Sequence, residues 1–151
     1  MQRLSKRCAN TQVKQMTKTY HELSQLKTFE ERFEYLRMDG RVGESTFGYD
    51  RYLNQMFYRT PEWKRARRDV ILRDNSCDLG MSDREIHGKV LIHHLNPITK
   101  QMILDRDPAL FDPNNLICCS HMTHDAIHYG DGSMLPKNPI ERTPNDTCLW
   151  K

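Results

Sequence analysis

No stretch of this chain approaches the roughly 18 consecutive apolar residues that a membrane-spanning helix needs. No apolar core follows its first residues, as a secretory leader would require. Both absences point to a cytoplasmic protein with no membrane partner. The five cysteines, Cys8, Cys77, Cys118, Cys119 and Cys148, are odd in number and unevenly spread. They never form a C-x-x-C pair. A disulfide scaffold and a four-cysteine zinc site are therefore both excluded, and the thiols read as small hydrophobes. Charge of one sign is scarce too: 23 Lys and Arg face 20 Asp and Glu, a net charge of +3. That permits a nucleic-acid partner without establishing one. There are no internal repeats and no low-complexity stretches, and 151 residues leave room for one domain.

What is present reads as an ordered succession. Residues 1–18 carry Arg3, Lys6, Arg7, Lys14 and Lys18 with no acid, a basic, flexible arm. Residues 19–58 read as a helical extension packing on the core. Thr28 and Glu31 form a capping-box pattern ahead of Phe29, Phe33 and Leu36, and Gly40 stands where that helix would stop. Residues 40–48 read as a loop, and 50–58 as a short second helix. The aromatics Phe33, Tyr35, Phe47, Tyr49, Tyr52 and Phe57 read as core rather than as a platform for bases. Thr60-Pro61-Glu62 opens a helix to about Asp74, with Trp63, Ala66, Val70 and Leu72 on its buried side. Its remaining surface is basic through Lys64, Arg65, Arg67, Arg68 and Arg73; this is either a solvated face or a phosphate-contacting one. Residues 89–94 read as a strand, 96–114 as loop-rich, 115–118 as a second strand, and 120 or 122 to 129 as a helix closed by Gly130. The core spans 59–133, and 134–151 reads as an irregular tail.

Five of the seven histidines fall between His93 and His128. His124 and His128, four apart on a predicted helix, share a face with Cβ atoms about 5–6 Å apart, close enough for one metal ion. The segment His124-Asp125-Ala126-Ile127-His128 is similar to the H-E-x-x-H of metallopeptidases, but Asp125 is a short substitute for the glutamate base. His121 shares the face, either as a further ligand or as a solvent-exposed histidine of the first turn.

The run Ile92-His93-His94-Leu95-Asn96-Pro97, followed by Asn115, His124 and His128, resembles the HNH nuclease motif. From Asn115, His124 lies nine residues on and His128 thirteen, a spacing similar to that of three-histidine, colicin-type members. The wider text, from Tyr58-Arg59-Thr60-Pro61-Glu62-Trp63-Lys64 to Ala126-Ile127-His128-Tyr129-Gly130, looks like small phage-encoded HNH endonucleases. The resemblance implies an α+β protein: a ββα-metal (HNH) nuclease core with a helical N-terminal extension. It implies a metal-dependent DNA endonuclease that leaves 5′-phosphate and 3′-hydroxyl ends. It makes His94 the general base, and His93, His124 and His128 ligands of one divalent ion, whether Mg, Mn, Ni or Zn. Asn115 either holds the loop that carries His94 or binds the metal itself. DNA is the implied partner, contacted by Lys64, Arg65, Arg67 and Arg68, and phage terminase or portal proteins are the suggested protein partners.

The chain departs from many HNH proteins at their second, structural zinc. The corresponding positions are Cys77, Gly80, Ser120 and Thr123, one cysteine of four, so no four-cysteine structural zinc site is expected. Adjacent strand residues also face opposite ways, so His93 and His94 share one phosphate only if the backbone leaves strand geometry at or just after His94. The rival from another class is a non-catalytic, metal-stabilised DNA-binding module.

Overall fold

The computed structural model describes residues 17–38 and 51–137. Among these the protein is α+β, with six α-helices and a two-stranded antiparallel sheet. Helix α1 (Tyr20–Gln25) begins where Thr19 accepts the Glu22 amide, and α2 (Phe29–Leu36) where Thr28 and Glu31 close a complete capping box. The helices α3 (Arg51–Arg59) and α4 (Pro61–Arg73) abut at Thr60, which caps the Trp63 amide ahead of a proline in the first turn. Strand β1 (Leu91–His94) follows a turn region, and α5 (Lys100–Asp105) is capped by Thr99. Two short turns, opened by the side chains of Asp107 and Asp112, lead into β2 (Leu116–Cys119). Ser120 then caps α6 (His121–Tyr129). That helix ends at Gly130, whose φ of +67° and close approach to the Met38 carbonyl leave no place for a Cβ.

The strands pair with His93 opposite Ile117 and His94 opposite Leu116. Pairing runs one step further, since the Leu95 amide donates to Asn115 O at 2.9 Å. The period-two alternation of the sheet then sorts the core into two layers. Ile117, Cys119, Leu91 and Leu95 pack with Leu23, Phe29, Phe33, Leu36, Leu79, Ala126 and Ile127, the layer of α1, α2 and α6. Leu116, Cys118 and Ile92 pack with Phe57, Trp63, Ala66, Val70 and Leu110, the layer of α3, α4 and α5. All four β2 residues are buried, so the sheet is the middle of a sandwich.

Two buried or half-buried arginines join the N-terminal helices to the rest. Arg32 donates to the carbonyls of Leu26 and Leu79. Arg73 grips Asp74, Leu116 O and Pro113 O and stacks 3.4 Å from the Tyr20 ring. Hydrogen bonds at Asp78 join the turn after α4 to the start of α6. Asp78 accepts from Ser120 N at 3.1 Å and from Thr123 Oγ1 at 2.5 Å, and Cys77 Sγ donates to Asn75 O. Burial raises the Asp78 carboxyl, and the Thr123 and Ser120 hydrogen bonds oppose that. Cys77, Cys118 and Cys119 are free and buried, and burial pushes the Cys118 thiol up to about 12. Cys8 and Cys148 lie outside the described residues.

Several expectations need correction. The loop-rich stretch 96–114 also holds a helix that was not expected, α5. The first strand starts at Leu91 rather than 89. Leu72 and Tyr52 are not core: they are 72% and 68% exposed. Met134 and Leu135, assigned to the tail, pack against the α1–α2–α6 layer. The basic arm through residue 16, the 40–48 loop with Phe47, and Tyr49 lie outside the described residues, as does the tail from residue 138. Among the described residues no helix is long and apolar enough to cross a membrane.

Candidate metal centre and a tethered histidine

Strand β1 and helix α6 bring three histidines together. His93 projects from β1 into the layer that contains α6, where His124 and His128 lie one turn apart. One ring nitrogen from each of the three lies within 4.8 Å of the others. His93 stands edge-on to both partners, at ring-centroid distances of 5.6 Å to His124 and 5.1 Å to His128. The Nε2 atoms of His124 and His128 are 3.2 Å apart. An ion bound at about 2.0–2.1 Å by tetrahedral nitrogens would separate neighbouring ligands by about 3.4 Å. The donor set therefore fits a divalent ion after small ring adjustments, with positions left open beyond three protein ligands.

The electrostatics suit that use. Burial lowers the pKa of His93 well below its ordinary value, and the neighbouring His128 and His124 push it further. Burial brings His128 to about 4, with His124 adding to the effect. His124 is lowered by burial against the opposing pull of Asp125. All three rings are neutral near pH 7, the form that ligates.

Asp125, considered from sequence only as a poor peptidase base, does something else. Its carboxylate lies 3.5 Å from His124 Nδ1 and 3.1 Å from His121 Nδ1. A carboxylate at Nδ1 favours the proton there and leaves Nε2 of His124 with a lone pair toward the cluster. His121 itself stays out of the cluster, with its side chain 76% exposed. The sequence signal for Asp125 was its position four residues after His121, an i,i+4 pair on one helix face.

His94 lies on the other side of the sheet. Its ring stacks on Trp63, at 5.3 Å between centroids and 17° between planes, and Phe57 is 6.2 Å away. Its Nε2 is 3.0 Å from Leu110 O. A carbonyl can only accept, so Nε2 carries the proton and Nδ1 holds a lone pair. His94 as a whole is buried, 9% exposed. Burial lowers the His94 pKa to about 4, partly offset by the Leu110 hydrogen bond.

Asn115 supports this tether from behind. Its Nδ2 donates to Ala109 O at 2.9 Å, next to the Leu110 carbonyl, and its Oδ1 accepts from Asn96 N at 3.2 Å and Asn96 Nδ2 at 2.7 Å. Both ends of the amide are thus engaged away from the histidine cluster. The strand does end at His94, but pleating continues through it, and the His93 and His94 rings lie on opposite faces instead of turning toward one.

The five cations on α4 are not equivalent, and Arg73 at its end is tied to Asp74. Lys64 and Arg65 are exposed. Arg68 is 69% exposed beside Asp69 at 3.6 Å. Arg67, half-buried, donates to Val90 O at 2.9 Å, and this corrects its reading as a free surface charge. His87 is exposed, and the His21 amide donates to Asn114 Oδ1. Compared with known proteins, the chain matches no family model, no curated protein and no solved structure.

Proposed function

We propose that the protein is a metal-dependent DNA endonuclease of the ββα-metal (HNH) type. The observation that carries the reading is a three-imidazole cluster on one face of β1, immediately followed in sequence by a histidine whose Nε2 is tied to a carbonyl. A base needs a lone pair and a fixed ring, and the Leu110 tether supports both for His94. In this reading a phosphodiester crosses the edge of β1 away from β2, so that groups on both faces reach it. His94 Nδ1 takes a proton from water as its oxygen attacks phosphorus. The P–O3′ bond breaks, leaving a 5′-phosphate, and the 3′-oxygen takes a proton from solvent. When held by His93, His124 and His128, a divalent ion would supply positive charge for the phosphate oxygens. Lys64, Arg65 and Arg68 would contact flanking phosphates. The resemblance to phage enzymes makes terminase or portal proteins the candidate partners.

The opposite facing of His93 and His94 favours a second reading, a DNA-binding module in which the metal only stabilises the fold. Cleavage of supercoiled plasmid by metal-stripped protein, with Mg, Mn, Ni or Zn returned, separates the two. A nuclease cuts with metal, and His94→Ala lowers the rate about 10²–10⁴-fold while metal and DNA binding persist. Folded, metal-loaded protein that cuts neither alone nor with packaging proteins would establish the second reading.

A further inference from the structure

Asn96 occupies a position that neither the metal cluster nor the base explains. Its Oδ1 accepts from the Lys18 amide at 2.9 Å, and its Nδ2 donates to Lys18 O at 2.8 Å. The same Nδ2 donates to Asn115 Oδ1 at 2.7 Å, and the Asn96 backbone amide donates there as well. One side chain thus makes a reciprocal pair of bonds with backbone 78 residues away, and a third bond to Asn115. A carboxamide has two donor hydrogens, and here both are used.

The bonds continue toward His94. Asn115 Nδ2 holds Ala109 O, and the next carbonyl in the chain, Leu110 O, receives His94 Nε2. Asn96 itself stands two residues after His94, on the segment that leaves β1. The ring of His94 is therefore held at both ends of one connected network: through the chain at Asn96 and through its acceptor at Leu110. A surface loop needing only a cap would be satisfied by either half of this arrangement.

We propose that Asn96 is a positioning residue for His94, which fixes the base by anchoring the segment after β1 to the Lys18 backbone and to Asn115. This rests on the nuclease reading for its effect on rate, but not for its effect on the ring. The backbone at Lys18, the last residue of the basic arm, is then part of the apparatus that orients the base.

The test compares the full chain with Asn96→Asp, which keeps the shape and the acceptor for the Lys18 amide but loses both donors. In metal-free protein the His94 Nε2 proton should give a slowly exchanging NMR signal, and in Asn96→Asp its exchange should speed up by about tenfold or more, as expected when a cooperative hydrogen-bond network is cut. Plasmid cleavage should lose about 10–100-fold in kcat, with KM and metal affinity changed less than about twofold, as misplacement without loss of binding predicts. If Asn96→Asp does not fold, Lys18→Pro removes the donor to Oδ1 from the other side, with Lys18→Ala as the control that keeps it. Lys18→Pro should speed the exchange and Lys18→Ala should not. Unchanged ring-proton exchange in every folded variant, or an equal effect from Lys18→Ala, overturns the proposal. Altered exchange in a protein that never cuts DNA would leave Asn96 as an organiser of His94 and sink the nuclease reading alone.

Discussion

The two faces of the small sheet bear adjacent histidines treated in opposite ways. On the α6 face, His93 meets other imidazoles, His124 and His128, and a carboxylate stands behind His124. On the α4 face, His94 meets an indole and a backbone carbonyl. Burial lowers the pKa on both faces, yet the consequences differ. Convergent lone pairs call for a cation, whereas one lone pair on a ring locked by a carbonyl calls for a proton. One step along a strand is enough to separate those two chemistries, because the pleat places each residue in a different helical layer.

The largest expected effect comes from stripping both faces at once. Deleting residues 1–58 removes Leu23, Phe29, Phe33 and Leu36 from one layer and Phe57 from the other, all buried. At about 1.5–3 kcal/mol for each side chain, the loss is on the order of 10 kcal/mol, comparable to the whole stability of a small domain. Fragment 59–151 should therefore lack a cooperative thermal transition by circular dichroism. A folded fragment would show that the sheet and α4–α6 suffice.

Acid should act next. Above about pH 6.5 neither the folded nor the unfolded chain holds a proton on His94. Below it the unfolded chain takes one, while the folded chain takes it only near pH 4. Stability of the metal-free protein therefore falls as pH drops across that interval, by about 3 kcal/mol from His94 alone. His93 works in the same direction. Denaturant titrations should show this slope, and His94→Phe, which keeps a ring against Trp63, should flatten it by up to one proton. An unaltered slope in that variant would mean the His94 face does not titrate as argued.

Much of this arrangement was legible in the sequence, and the illegible parts share a physical cause. Thr60-Pro61 and the Thr28–Glu31 box announced helix starts because capping is a local interaction. His124 and His128 announced a shared face because helical period is local too. Helix α5 was missed because six residues between Pro97 and Pro108 are too few to show a period. Leu72 and Tyr52 looked buried because apolar character does not say which layer is already full. Alternation sets His93 and His94 on opposite faces, and the expected departure from strand geometry that would bring both to one phosphate does not occur. The grouping of His93 with His124 and His128 was expected from the resemblance, but what His94 would meet depended on Trp63 and Leu110, distant in sequence, and the tie between Asn96 and Lys18 was equally invisible.

Asp125 gives a smaller effect confined to one face. Asp125→Asn keeps the shape but weakens the hold on His124 Nδ1, so metal affinity measured by chelator competition should drop about 10–100-fold. His94→Ala should leave that affinity unchanged. If the two variants lost affinity equally, the faces would be coupled and the separation drawn above would fail.

The smallest effects test the free and the tied charges of α4. Each phosphate contact contributes about 0.9 to the slope of log K against log salt for duplex DNA. Lys64→Ala, Arg65→Ala and Arg68→Ala should each reduce that slope by up to this amount while leaving the melting temperature within a few degrees, since exposed substitutions cost little. Arg67→Ala should do the reverse. Its guanidinium is bound to Val90 O just before β1, so its loss leaves a half-buried carbonyl without its donor and costs on the order of 1 kcal/mol in stability. It should change the salt slope least of the four. If Arg67→Ala instead lowered the slope as much as Lys64→Ala, the guanidinium would have to leave Val90 for phosphate, and the α4 face would rearrange when DNA binds while the metal face stayed as it is.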